Sequence, residues 1–164
     1  RDLYLATATP AGAEPKQYFQ LRHDLLLKRK PKQKPKEKPL VIDTKYKTLP
    51  VTAAGNITPN GVAQADIYQL VSYALRRGTP HTYLFYPDSL RHPASNATAS
   101  QLKYEIKDRL SGKKATITVA AHRLPILIIG AHSSQELSST GLNELLPAHE
   151  QQLVKRLTQV LTLD

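Results

Sequence analysis

The stretch that most limits how this chain can fold is Lys28 to Pro39, which reads Lys-Arg-Lys-Pro-Lys-Gln-Lys-Pro-Lys-Glu-Lys-Pro. Like charges repel along it, and Pro31, Pro35 and Pro39 each lack a backbone donor, so it cannot occupy the middle of a sheet. Both of its flanks read as strands. From Gln17 to Lys28 the odd positions are Phe19, Leu21, His23, Leu25 and Leu27 and the even ones Tyr18, Gln20, Arg22, Asp24 and Leu26, an apolar face against a polar one. Leu40 to Tyr46 has the length and composition of a strand. Two strands joined by a solvated charged segment predict an antiparallel hairpin with residues 28–39 as its basic tip.

That hairpin brings chemistry together. In Pro39-Leu40-Val41-Ile42-Asp43-Thr44-Lys45-Tyr46-Lys47 an apolar run ends on an acid, with a lysine two places later. Residues i and i+2 of a strand share a face, so Asp43 and Lys45 project together. By itself such a pair is usually a surface ion pair of little energetic weight. Here Asp24 lies on the polar face of the preceding strand, and antiparallel neighbours run about 4.8 Å apart. Two carboxylates and an ammonium in one place suit a hard divalent cation and an anionic group bound to it.

Further along, Thr48 to Gly61 reads as a loop and Val62 to Arg77 as a helix closed by Gly78 and Pro80. Its apolar stripe is Ile67, Leu70, Val71, Ala74 and Leu75; Asp66, Gln69, Tyr73 and Arg76 form another stripe. In most helices such a polar stripe faces solvent, but beside an acidic site Gln69 and Tyr73 are candidate contacts. Arg1 to Thr9 and Thr82 to Tyr86 read as strands. Leu102, Tyr104 and Ile106 with Ala115, Ile117 and Val119 form a hairpin across Ser111 to Lys114. Leu124 to Ile129 is expected as a buried strand, Gly130 to Gly141 as a Ser-rich loop, and an amphipathic helix as starting near Pro147.

The chain has 164 residues, with 40% hydrophobic and 22% charged, enough for one domain with a core. Its longest apolar run is too short to span a bilayer, so no membrane partner is expected. Cysteine is absent, which excludes disulfides and thiolate metal sites and fits a cytoplasmic protein. The first residue is Arg1, not Met, which predicts a piece of a longer chain. Of the net charge of +10, the basic tract supplies +6, and concentrated positive charge points to a nucleic acid.

The order of a strand with Asp24, a strand with Asp43-Thr44-Lys45, a helix with Gln69-Leu70-Val71-Ser72-Tyr73 and a further strand resembles the PD-(D/E)XK nuclease superfamily. More closely, Asp43-Thr44-Lys45-Tyr46-Lys47 followed by Asp66-Ile67-Tyr68-Gln69-Leu70-Val71-Ser72-Tyr73-Ala74 resembles the McrC family, the nuclease subunit of the McrBC modified-cytosine restriction system. The resemblance covers roughly Phe19 to Pro87. It departs at His23, where the superfamily name has proline, and it lacks the N-terminal region by which such subunits engage their motor.

The resemblance implies a restriction-endonuclease-like α/β core, a mixed central sheet flanked by helices, over residues 1–164 as a single nuclease domain. It implies hydrolysis of DNA phosphodiester bonds with Mg²⁺, for which Mn²⁺ can substitute. Asp24, Asp43 and the Thr44 carbonyl would hold the metal. Lys45, Gln69 and Tyr73 would complete the catalytic set. Lys28, Arg29, Lys30, Lys32, Lys34, Lys36, Lys38 and Lys47 would hold DNA. The implied partner is an AAA+ GTPase motor subunit of McrB type.

Other candidates are weaker. His23 falls on the apolar face of its strand and reads as a packed core histidine. His81, His92, His122, His132 and His149 lack zinc spacing. Ser133 and Ser134 lack a nucleophile elbow, and no Gly-rich phosphate loop is present. A RecB-like exonuclease uses a similar residue set, though such proteins often add iron–sulfur cysteines. An inactive DNA-binding module of the same fold is the alternative outside catalysis.

Overall fold

A computed structural model of the chain describes residues 3–9, 11–12, 14–28, 38–54, 56–88, 101–108, 115–125 and 139–162. The elements are β1 (Tyr4–Ala8), β2 (Lys16–Gln20), β3 (Leu25–Leu27), β4 (Leu40–Thr44), α1 (Gln64–Arg77), β5 (His81–Pro87), β6 (Gln101–Asp108), β7 (Ala115–Leu124) and α2 (Ser139–Thr162). β1 and β2 form an antiparallel ribbon, and the other strands form a five-stranded sheet in the order β3-β4-β5-β7-β6. The protein is a mixed α/β fold.

The strand expected over residues 17–28 is two strands in two sheets. β2 pairs with β1 (Ala6 opposite Tyr18), whereas β3 pairs with β4. Period-2 alternation runs through both, but they serve different partners, so the chain must change direction between them. Phe19 turns left-handed (φ 59°) and is 72% exposed, so the apolar face expected from Phe19 to Leu27 is not a continuous buried face. The expected antiparallel pairing across the basic tract is present in β3 and β4: Leu25 faces Ile42, Leu26 faces Val41 and Leu27 faces Leu40. Residues 29–37 of the tip lie outside the described residues, as do the loop at 89–100, the turn at 111–114 and residues 126–138.

By packing, the chain divides into two compact units. The first takes in Arg1–Thr44, Val62–Leu84 and Lys103–Ala120; the second takes in Lys45–Gly61, Phe85–Leu102 and Ala121–Asp164. In the first unit β4 is buried on both faces at Val41, Ile42 and Asp43. Leu70, Tyr73, Ala74, Tyr83, Leu84 and Val119 also belong to this unit's buried core. Helix α1 starts without a side-chain cap but has Asp66 in its first turn and Arg76 and Arg77 in its last, the arrangement its dipole favours. Gly78 ends it in the left-handed region (φ 64°), with its N–H reaching the Ala74 and Leu75 carbonyls.

The buried side of α1 is shifted from the stripe expected on hydrophobicity. Tyr73 is buried and Leu75 is 54% exposed. A tyrosine can be buried when its hydroxyl finds an acceptor, and this one does.

In the second unit Leu49, Ile57, Phe85, Tyr86, Ala121, Leu124 and Val160 are buried. Arg123 is 1% exposed and is ion-paired with Asp88. Burial lowers the pKa of Arg156, and the Asp88 charge opposes the shift. Gly61 donates to the Thr58 carbonyl at 2.8 Å, and a Cβ there would lie 2.8 Å from Thr58 Oγ1, so no side chain fits. Leu124 ends β7, and residues 126–129 of the strand expected from Leu124 lie outside the described residues. α2 begins at Ser139, not near Pro147, which lies inside it. Proline removes one intrahelical hydrogen bond, and the turns on either side carry the helix across that local loss.

The two leucines of α1 separate burial from composition. Leu70→Ala should lower unfolding stability by about 2–5 kcal/mol, and Leu75→Ala by less than about 0.5 kcal/mol, measured as shifts in urea midpoint. Equal losses would contradict the placement of the helix.

Candidate functional site

The pairing register of β3 and β4 sets the site. The ladder ends at the Leu25–Ile42 pair, and continuing its register by one step would set Asp24 opposite Asp43. Residues directly opposite on antiparallel strands share a face. Asp24 stands in a bend just before β3 and is exposed. Asp43 is inside β4 and 3% exposed. The Asp24 carboxylate is fixed by the neighbouring strand: Oδ2 accepts from the Thr44 N–H at 2.7 Å and from the Thr44 hydroxyl at 2.6 Å.

His23 is near enough to both acids to feel their charge. Burial lowers its pKa below the ordinary 6.5, as does the Arg77 guanidinium beside it, and the charges of Asp24 and Asp43 oppose the shift. Arg77 Nη2 donates to His23 Nε2 at 3.3 Å, which places the proton of the neutral ring on Nδ1. The His23 ring also packs against Tyr73, with centroids 5.9 Å apart.

From α1, the Gln69 side-chain amide donates to the Tyr73 hydroxyl oxygen at 2.7 Å, and that hydroxyl donates to the Arg22 carbonyl. Asp24, Asp43, Thr44, Gln69 and Tyr73 thus belong to one packed unit. Lys45 follows Thr44 and opens the second unit; its N–H donates to the Phe85 carbonyl at 2.8 Å, and it is half-buried. Lys28, Lys38 and Lys47 are exposed. Arg29, Lys30, Lys32, Lys34 and Lys36 lie outside the described residues.

Arg77 is the site residue that sequence reasoning passed over. It follows Tyr73 by four positions and Gln69 by eight, on one stripe of α1, while Arg76, the arginine of the expected polar stripe, is exposed. The i, i+4 spacing from Tyr73 is the signal for it in the sequence.

Among the described residues no cluster of three or more His, Cys, Asp or Glu is placed to hold a metal ion. Two carboxylates are nonetheless a fitting donor set for Mg²⁺. That ion commonly takes one or two protein carboxylates and fills its remaining positions with water and substrate phosphate oxygens. No helix among the described residues is long and apolar enough to cross a membrane.

Fold and site together define an α/β protein with an acidic pair on adjoining strand ends, backed by one helix. A family model described as the McrBC 5-methylcytosine restriction system component matches residues 6–87, half of the chain, and the chain belongs to that family. Membership carries a role in the restriction of modified DNA. No curated protein and no solved structure gives a match.

The depressed histidine has a measurable sign. An unfolded chain takes up the proton near pH 6.5 and the folded chain only below it, so folding stability linked to His23 is present above about 6.5 and declines as pH falls toward the folded value. An NMR titration of His23 in EDTA should give a midpoint below 6.5. A midpoint above 6.5 would mean that the two acids outweigh burial and Arg77.

Proposed function

We propose that this chain is the DNA-cleaving component of a modification-dependent restriction system: a Mg²⁺-dependent endonuclease domain of PD-(D/E)XK type that hydrolyses phosphodiester bonds and works with a GTP-driven AAA+ partner. What supports this reading is the fastening of the Asp24 carboxylate onto Thr44, the residue that follows Asp43, in a chain of the McrBC family. The family description names 5-methylcytosine, which makes DNA carrying that base the first substrate to try.

Asp24, Asp43 and the Thr44 carbonyl would hold the cation. When bound, Mg²⁺ polarises the scissile phosphate and supplies a water more acidic than bulk water. Lys45 Nζ then acts on the phosphate: its charge offsets the negative charge that builds on the non-bridging oxygens as the attacking oxygen approaches. Because Asp43 is buried, its carboxylate keeps a fixed direction. Asp24 is at the exposed side, where a polymer as wide as a duplex can reach.

Lys28, Lys38 and Lys47, with Arg29, Lys30, Lys32, Lys34 and Lys36, would bind the DNA backbone without reading sequence. Each phosphate neutralised contributes about 0.9 to the salt-dependence slope of duplex binding. A tract of this kind adds affinity for any DNA and leaves the choice of modified sites to other parts of the system.

The test is cleavage of methylated plasmid DNA in Mg²⁺, with and without GTP and the AAA+ partner. Asp43→Asn should lose cleavage. Lys45→Ala should lose it by about a hundredfold or more, the range seen when a group that stabilises transition-state charge is removed, while DNA binding stays near wild type. Wild-type rates in either variant would rule out this site. Serine at Lys28, Arg29, Lys30, Lys32, Lys34, Lys36 and Lys38 should weaken binding to all duplexes and flatten the salt slope. An unchanged slope would remove the tract from the DNA-binding surface.

A further inference from the structure

The four residues between β2 and β3 form no repeating structure, yet each is held by a different group. The Leu21 N–H donates to the Leu3 carbonyl at 2.7 Å. The Arg22 carbonyl accepts from the Tyr73 hydroxyl. His23 accepts from Arg77. Asp24 accepts twice from Thr44. Two of these four holds come from α1, and the residues that make them, with Gln69 behind Tyr73, are spaced four apart on one stripe.

This bears on what the glutamine and tyrosine do. Tyr73 is 2% exposed, so a polymer arriving from solvent does not reach its hydroxyl. That hydroxyl is engaged on the main chain two residues before Asp24, and the Gln69 amide sets its direction. Asp24 itself stands in a bend, just outside the ladder that fixes β3. Its main chain therefore depends on neighbours other than sheet hydrogen bonds, and α1 supplies them at Arg22 and His23.

We propose that Gln69, Tyr73 and Arg77 are positioning residues that clamp the Arg22–His23 main chain and ring, and so aim the Asp24 carboxylate toward Asp43 for cation binding. This inference rests on the reading of Asp24 and Asp43 as the cation-holding pair. It assigns Arg77 a part in the site and gives the buried tyrosine a role that needs no contact with DNA.

The experiment is a Mn²⁺ titration of the 164-residue chain, followed by the electron paramagnetic resonance signal of the free ion, for wild type, Tyr73→Phe, Arg77→Gln, Arg77→Lys and Asp43→Asn. Melting curves confirm that each variant is folded. Tyr73→Phe and Arg77→Gln should each raise the Mn²⁺ Kd about tenfold or more, the usual cost of losing a group that orients a metal ligand. Arg77→Lys keeps a donor and should recover part of the loss. A clamp that is merely structural would lower the melting temperature and leave the Kd unchanged, and that result overturns the proposal. If Tyr73→Phe does not fold, the Arg77 pair decides the matter. Asp43→Asn separates the two levels: a wild-type Kd in that variant removes the cation site and the clamp with it, whereas a weakened Asp43→Asn beside an unaffected Tyr73→Phe and Arg77→Gln removes the clamp alone.

Discussion

Everything at the candidate site depends on the register of one short antiparallel pair. β3 contributes only three residues, and the register of its pairing with β4 sets which side chain the next step would bring opposite Asp43. A slip of one residue would put His23 or Leu25 there and turn Asp24 to the other face. A three-residue strand is a weak determinant of its own register. The Thr44 contacts reinforce it: the main-chain N–H and the hydroxyl of one residue both close on the Asp24 carboxylate, so the acid is at once part of the site and a fastener of the strand that carries it.

The pair is asymmetric, and the asymmetry is chemically useful. Asp43 sits in a strand buried on both faces, where a carboxylate has little freedom and a high demand for positive charge or donors. Asp24 is exposed, so its fixation comes from hydrogen bonds rather than from packing. His23 lies between these environments. Its neutral form is favoured by burial and by Arg77, which keeps an added positive charge away from two acids that a cation would otherwise bridge.

Much of this was legible in the sequence because it rests on local rules. The proline–lysine tract predicted strands on either side of it, Gly78 marked the end of α1, strand composition located β4 and β5, and alternation located β6 and β7. What the sequence hid was tertiary. The alternation from Phe19 to Leu27 was continuous, and nothing local showed that β2 and β3 would take different partners. Hydrophobicity favoured Leu75 over Tyr73 for the core, because the acceptor that lets Tyr73 be buried is the Arg22 carbonyl, 51 residues away. Arg77 was passed over for the same reason: its partner, His23, looked like an ordinary core residue. In α2, Pro147 looked like a start signal, and only the turns before it show otherwise.

The central claim is that Asp24 and Asp43 hold one divalent ion between them. Anomalous diffraction from crystals of the chain soaked in Mn²⁺ addresses it directly. A single strong peak is expected within about 2.2 Å of a carboxylate oxygen from each of Asp24 and Asp43, close to the distance typical of a small hard cation. No peak at the pair, or a peak bound to other residues while both carboxylates stay as they are, would contradict it.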